Sequence, residues 1–204
     1  MAQMKNKAFA MPKAVSITGR TSTITNSFVN GIIPVVPPSD AEVLEALSIL
    51  GMNPHDVRCA YCGDKATEWD HLRPIVQKKR PSGYISEIAN LVPSCGKCNQ
   101  SKSGDPWEKW INGPAPLSPQ KRGIPDLSER IERLKMYEHW RAPTVIDFAR
   151  IVPAELWAAH WENLERLHAL MRECQIVSDE VRLSAARAVR AQQGSLPDAA
   201  MPRQ

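Results

Sequence analysis

Four cysteines and four polar residues set among them carry the chemistry this sequence can do. Cys59 with Cys62 and Cys95 with Cys98 form two C-x-x-C pairs. Each such turn lets two thiolates reach one ion, and two turns complete a tetrahedral zinc site with no vertex left for substrate, so the zinc is structural. The insert between the pairs, residues 63–94, is longer than that of simple zinc ribbons. A redox role for either pair calls for a neighbouring βαβ pattern, which the sequence lacks. Asp70, His71, Asn90 and Asn99 lie between or directly after the cysteines. They supply oxygens suited to a hard divalent cation and an imidazole suited to accept a proton.

That combination matches the needs of phosphodiester hydrolysis. The reaction requires a water stripped of its proton, counter-charge for the phosphorane-like transition state and stabilisation of the departing oxygen. A neutral imidazole with an ordinary pKa near 6.5 can take the proton at physiological pH. One carboxylate and one amide oxygen suit Mg²⁺ or Mn²⁺ while leaving positions open for phosphate and water.

The run C-A-Y-C, then W-D-H-L-R-P, then N-L-V-P-S-C-G-K-C-N-Q-S-K resembles the HNH endonuclease superfamily, in the branch whose ββα-metal motif is braced by four cysteines. The resemblance covers residues 59–102, reaching at most Ile111. It implies His71 as general base, Asp70 as a ligand of the catalytic metal, and Asn90 as the asparagine that ties the loop and holds the His-bearing strand. Asn99 stands where the last histidine of the motif stands, making this an H-N-N variant with Asn99 as the second metal ligand. Lys102, one turn after Asn99, is placed to reach the scissile or an adjacent phosphate. Products with 5′-phosphate and 3′-hydroxyl ends are implied by the same resemblance.

The elements that must position these residues are short. Residues 67–72 are β-compatible and stop at Pro74, residues 90–93 form a second extended run, and Asn99 to Lys102 opens a helix. Asp70 and His71 are neighbours on a strand and therefore point to opposite faces, so a shared site requires the strand end to be bent. Arg73, Lys78, Lys79 and Arg80 lie in the connecting segment with no acid among them. They are candidates for DNA-backbone contacts or simply a solvated loop.

Around this centre the chain of 204 residues, with a formal net charge of +4, divides by composition. Residues 1–58 read as an N-terminal arm and helix packing on the core. Within them Ser39 to Glu42 is a capping box, and Val43, Leu44, Leu47 and Leu50 follow at helical spacing. Residues 59–112 are the nuclease core, with Trp107 and Trp110 laid on it. The Pro- and Gly-rich residues 113–125 read as a linker. Residues 126–192 are helical, with a second capping-box pattern at Asp126 to Glu129, a long helix beginning at Pro153 and a further one over residues 177–189. Residues 193–204 are a tail. His139, His160 and His168 lack convergent partners and Cys174 is unpaired, so these four read as structural, while His55, in an N-P-H-D turn, reads as a surface histidine rather than a metal ligand.

The positive excess lies in residues 1–125, consistent with a surface that follows phosphates. No apolar run reaches the roughly 18 residues of a membrane span, and the start has no signal-peptide apolar region, although it holds the short run Ala8–Met11. The expectation is a cytoplasmic α+β protein: an HNH core with structural Zn²⁺, flanked by N- and C-terminal helical segments. It would cleave double-stranded DNA with Mg²⁺ or Mn²⁺, as a homodimer and a sequence-specific restriction endonuclease. The alternatives are a phage or mobile-element nicking or junction-resolving nuclease, and a non-catalytic zinc-braced module that binds nucleic acid.

Overall fold

Backbone hydrogen bonding in the middle of the chain is organised by the cysteine turns. In the computed structural model, which describes residues 12–194, Gly63 donates to the Cys59 carbonyl at 2.9 Å and Cys59 to that of Asp64 at 2.8 Å. Gly63 has φ +78°, a conformation that costs glycine nothing. The run Ala8–Met11 and the tail beyond Gly194 lie outside the described residues.

From that knuckle the chain enters β1 (Glu68–His71), which pairs antiparallel with β4 (Leu91–Ser94) in the register Asp70 to Val92 and His71 to Leu91. Between them sits a small hairpin, β2 (Val76–Gln77) and β3 (Arg80–Pro81). After β4, α3 (Gly96–Lys102) starts at the second cysteine pair and packs on β1. This is a mixed α+β core: β1 carries Asp70 and His71, α3 carries Cys98, Asn99 and Lys102, and Cys59, Cys62, Asn90 and Cys95 lie in the short segments that lead into these elements.

Helices close the core from both sides. α1 (Thr21–Asn30) precedes α2 (Asp40–Ile49). Ser39 caps α2 with both halves of the capping box formed, its hydroxyl accepting from Glu42 N and its N–H donating to the Glu42 carboxylate at 2.8 Å. Such a cap contributes about 1 kcal/mol. Leu44, expected inward, is 55% exposed, and Ala46 takes the core position instead. α4 (Trp107–Ile111) buries both tryptophans, Trp110 edge-on to Tyr61.

The run read as a linker is folded. α5 (Pro119–Arg122) lies within it, capped by Ser118 and stopped by Gly123 at φ +64°. α6 (Leu127–Trp140) follows, burying Leu134 and Tyr137. The Tyr137 hydroxyl donates to the carbonyls of Ile88 and Leu91, tying the helix to the start of β4. Asp126 does not cap α6 as its capping-box pattern suggested. Its carboxylate grips Arg130 at 2.7 and 2.9 Å, and Arg130 donates to the Cys59 carbonyl at 3.2 Å. An ion pair one turn along outcompetes the cap because the same guanidinium also satisfies a carbonyl of the knuckle. α7 (Phe148–Ile151) and the start of α8 (Ala154–Gly194) stack Phe148 on Trp157.

The described residues form two compact units, one of residues 25–158 and the other of residues 12–24 together with 159–194. In the second unit Trp161 and Leu164 are buried, and Ile17 N–H donates to the Gln175 side-chain oxygen at 2.7 Å. The separate helix expected over residues 177–189 is continuous with α8, since no Gly or Pro interrupts the sequence before Gly194. Among the described residues no helix is long and apolar enough to cross a membrane.

Candidate active site and metal centre

The four cysteines converge. Their sulfurs all lie within 4.8 Å of one another, with Cys62 and Cys95 at 3.6 Å, and all four residues are buried. A tetrahedron with Zn–S bonds of 2.3 Å has sulfur–sulfur edges of about 3.8 Å, so the cluster fits that ion. Its electrostatics point the same way. S–H donation from Cys62 and Cys98 holds the Cys59 thiol down to about 3, whereas Cys59 and Cys62, with burial, push the Cys98 thiol far up. A thiolate at Cys59 thus opposes a second one at Cys98, and a divalent cation bound between them would remove that opposition. Arg122 donates to Cys98 Sγ at 3.4 Å and pairs with Asp64 at 2.8 Å, so the folded former linker buttresses the cluster.

The opposing directions of Asp70 and His71 are reconciled at the end of β1. The strand stops at His71 and bends at Leu72 and Arg73. Asn90 fixes that bend: fully buried, it accepts from Arg73 N–H at 2.8 Å and donates to the Arg73 and Ile85 carbonyls at 3.1 and 3.4 Å. Asp70 and His71 thereby border one cavity of about 650 Å³, together with Asn99, Ser86 and Ser103. Asn26 and Asn30, on the last turns of α1, form part of its opposite wall.

Asp70 turns inward. Its carboxylate accepts from the Tyr61 hydroxyl at 2.6 Å and from the Lys102 ammonium at 3.1 and 3.3 Å. Burial raises its pKa, with Lys102 and Tyr61 opposing that shift. Lys102 itself is fully buried, its third contact being the His71 carbonyl at 2.8 Å. The expectation that Lys102 reaches a phosphate thus meets a different geometry. α3 crosses β1 so closely that a lysine in its last turn lands beneath the strand rather than in the cavity.

His71 Nε2 lies 2.8 Å from the Ser86 hydroxyl. Burial, and then the Lys102 charge, lower its pKa to about 4, so the ring is neutral at physiological pH. Asn99 donates its amide to Glu68 at 2.6 Å, which leaves the carbonyl oxygen as the atom for another partner. The Glu68 carboxylate occupies the space a side chain at position 96 would need, since a Cβ on Gly96 would stand 2.9 Å from it.

The basic residues separate into two groups. Arg73 is drawn away from solvent, paired with Glu138 at 2.7 Å and lying 5.9 Å from the centre of the Tyr84 ring. Lys78, Lys79 and Arg80 are exposed at the tip of the hairpin. Glu68, Ser86, Tyr61 and Arg122 escaped sequence reasoning. Only Glu68 left a trace, standing two residues before Asp70 and so on the same strand face.

Residues 59–105 match the HNH endonuclease family. The chain is also 31% identical over 111 residues to the CRISPR-associated endonuclease Cas9 of Corynebacterium diphtheriae, an overlap that takes in 52% of this chain and 9% of that protein. No solved structure matches it. Residues 59–105 therefore form an HNH endonuclease domain.

Proposed function

We propose that this protein is a metal-dependent DNA endonuclease in which His71 takes the proton from the attacking water. The observation that carries this reading is the shared cavity: a neutral imidazole, with its pKa lowered to about 4, borders the same space as a carboxylate and an amide oxygen. Asp70 and Asn99 fit a hard cation such as Mg²⁺ or Mn²⁺. The Asp70 oxygens keep acceptor capacity beyond Tyr61 and Lys102, and the Asn99 amide has its nitrogen already engaged by Glu68. Such an ion would supply counter-charge for the phosphate and the departing oxygen.

The chain's own residues do the rest. Asn90 holds the bend that brings His71 to the cavity, and Glu68 orients Asn99. Lys102, buried against Asp70, keeps that carboxylate ionised and positioned rather than touching DNA. Lys78, Lys79 and Arg80 would hold the phosphate backbone through exposed charge. That the relative is named an endonuclease favours catalysis over a purely binding role.

A restriction enzyme acting as a homodimer is the finer reading. Its support is the outer part of α8, where Leu170, Val177 and Val181 are each more than half exposed at spacings of seven and four. A stripe of that kind suits a second copy of the same helix, and a two-fold dimer would offer one active site to each DNA strand.

The test is cleavage of long duplex DNA by the protein and by His71→Ala, with Mg²⁺, Mn²⁺ or EDTA, followed by sequencing of the ends. Discrete metal-dependent fragments, lost in the variant, are the expected result. A metal-dependent smear or nicks would replace the restriction reading with the phage or mobile-element one, and retained cleavage by His71→Ala would overturn the base assignment.

A further inference from the structure

We infer that Ser86 is a positioning residue for His71: its hydroxyl oxygen accepts from Nε2–H, fixes the ring in that tautomer and leaves Nδ1 as the nitrogen that takes the proton. The contact is 2.8 Å, and Ser86 borders the cavity it serves. A neutral imidazole has one donating and one accepting nitrogen, and the partner of one decides the chemistry of the other. A hydroxyl donating to Nε2 would place the hydrogen on Nδ1 and leave Nε2 capped by the serine, a ring with no free lone pair. A ring that works as a base in this cavity therefore needs Ser86 as acceptor.

What holds Ser86 in place lies outside the family-matched segment. Its N–H donates to the Pro34 carbonyl at 3.0 Å and its carbonyl accepts from Val36 N–H at 2.9 Å, a parallel bridge centred on Val35. Ile33 and Val35 from the same stretch also line the cavity. The stretch after α1 is thus a strap that anchors the serine, and through it the imidazole; the domain of residues 59–105 is completed by residues 33–36. Because the backbone makes the strap contacts, changing the Ser86 side chain leaves them intact.

The inference rests on His71 being the base, and its test reads the two apart. The 204-residue chain, prepared with zinc, labelled with ¹⁵N at histidine and held without Mg²⁺ at neutral pH, is compared with His71→Ala to assign the His71 signals. Wild type should show a protonated Nε2 and an unprotonated Nδ1. Ser86→Ala should blur this into a tautomer mixture and lower kcat about tenfold to a hundredfold with KM little changed, the cost of a misplaced catalytic group. Ser86→Thr, which keeps the hydroxyl where the cavity has room for a methyl, should restore both the signature and most of kcat. A wild-type ring protonated at Nδ1, or an unchanged tautomer and kcat in Ser86→Ala, would overturn the role of Ser86. Cleavage surviving in His71→Ala would instead overturn the base assignment beneath it, whatever the tautomer.

Discussion

The buried pair of Asp70 and Lys102 is the residue-scale feature with the largest energetic consequence. Two charges removed from water are tolerated because Tyr61 and the His71 carbonyl complete their hydrogen bonds. Lys102→Met deletes one charge and strands the other, which costs about 3–5 kcal/mol in comparable pairs. Chemical denaturation should show that loss, and a variant with wild-type stability would argue that Asp70 is protonated in the folded protein. His71 makes a separate prediction. Its pKa is lowered from 6.5 to about 4, so between those values the unfolded chain binds the proton and the folded one does not. Stability should therefore fall as pH drops from about 6.5 to about 4. Asp70, shifted upward, acts with the opposite sign. The difference between wild type and His71→Ala across that window isolates the imidazole, and a difference independent of pH would contradict its burial.

At the scale of elements, the β2–β3 hairpin is built against its own turn. Lys78 and Lys79 have φ +49° and +64°, the conformation of a two-residue turn that prefers Asn-Gly. Left-handed backbone costs a lysine about 1 kcal/mol or more, and cost of this kind collects where a side chain is needed for function. The double variant Lys78→Asn, Lys79→Gly should raise stability by about 1 kcal/mol while weakening DNA binding at low salt. Its log–log salt slope should be shallower by about two, near 0.9 per lost phosphate contact. Greater stability with an unchanged slope would remove the hairpin from the DNA interface.

For the whole molecule, the outer length of α8 is where assembly can be tested. From Ile176 to Gln193 nearly every residue is exposed, Val177 at 60% and Val181 at 63% among them. Light scattering of the protein should report a dimer, and Val177→Asp with Val181→Asp should yield a folded monomer. A wild-type monomer at working concentration would discard the dimer, and with it the simplest route to paired cuts on opposite strands.

Features that depend on near neighbours along the chain were legible in the order of the amino acids alone. The two C-x-x-C turns, the capping box of α2 and the Asp70–His71 pair are local patterns, legible because a turn or a cap involves residues a few positions apart. Asn90 and Asn99 were legible too, through the family motif that contains them. Tertiary structure decided whatever depends on how β1, α3 and the flanking segments cross. It sent Lys102 under the strand instead of into the cavity, gave Arg73 to Glu138, and folded the supposed linker so that Arg122 meets Cys98. It also brought Ser86 to His71 and Glu68 to Asn99. The physical reason is common to all five. A long polar side chain, or a short hydroxyl, takes whichever partner satisfies it once packing has fixed the backbones, and that partner lies at a sequence distance no periodicity encodes.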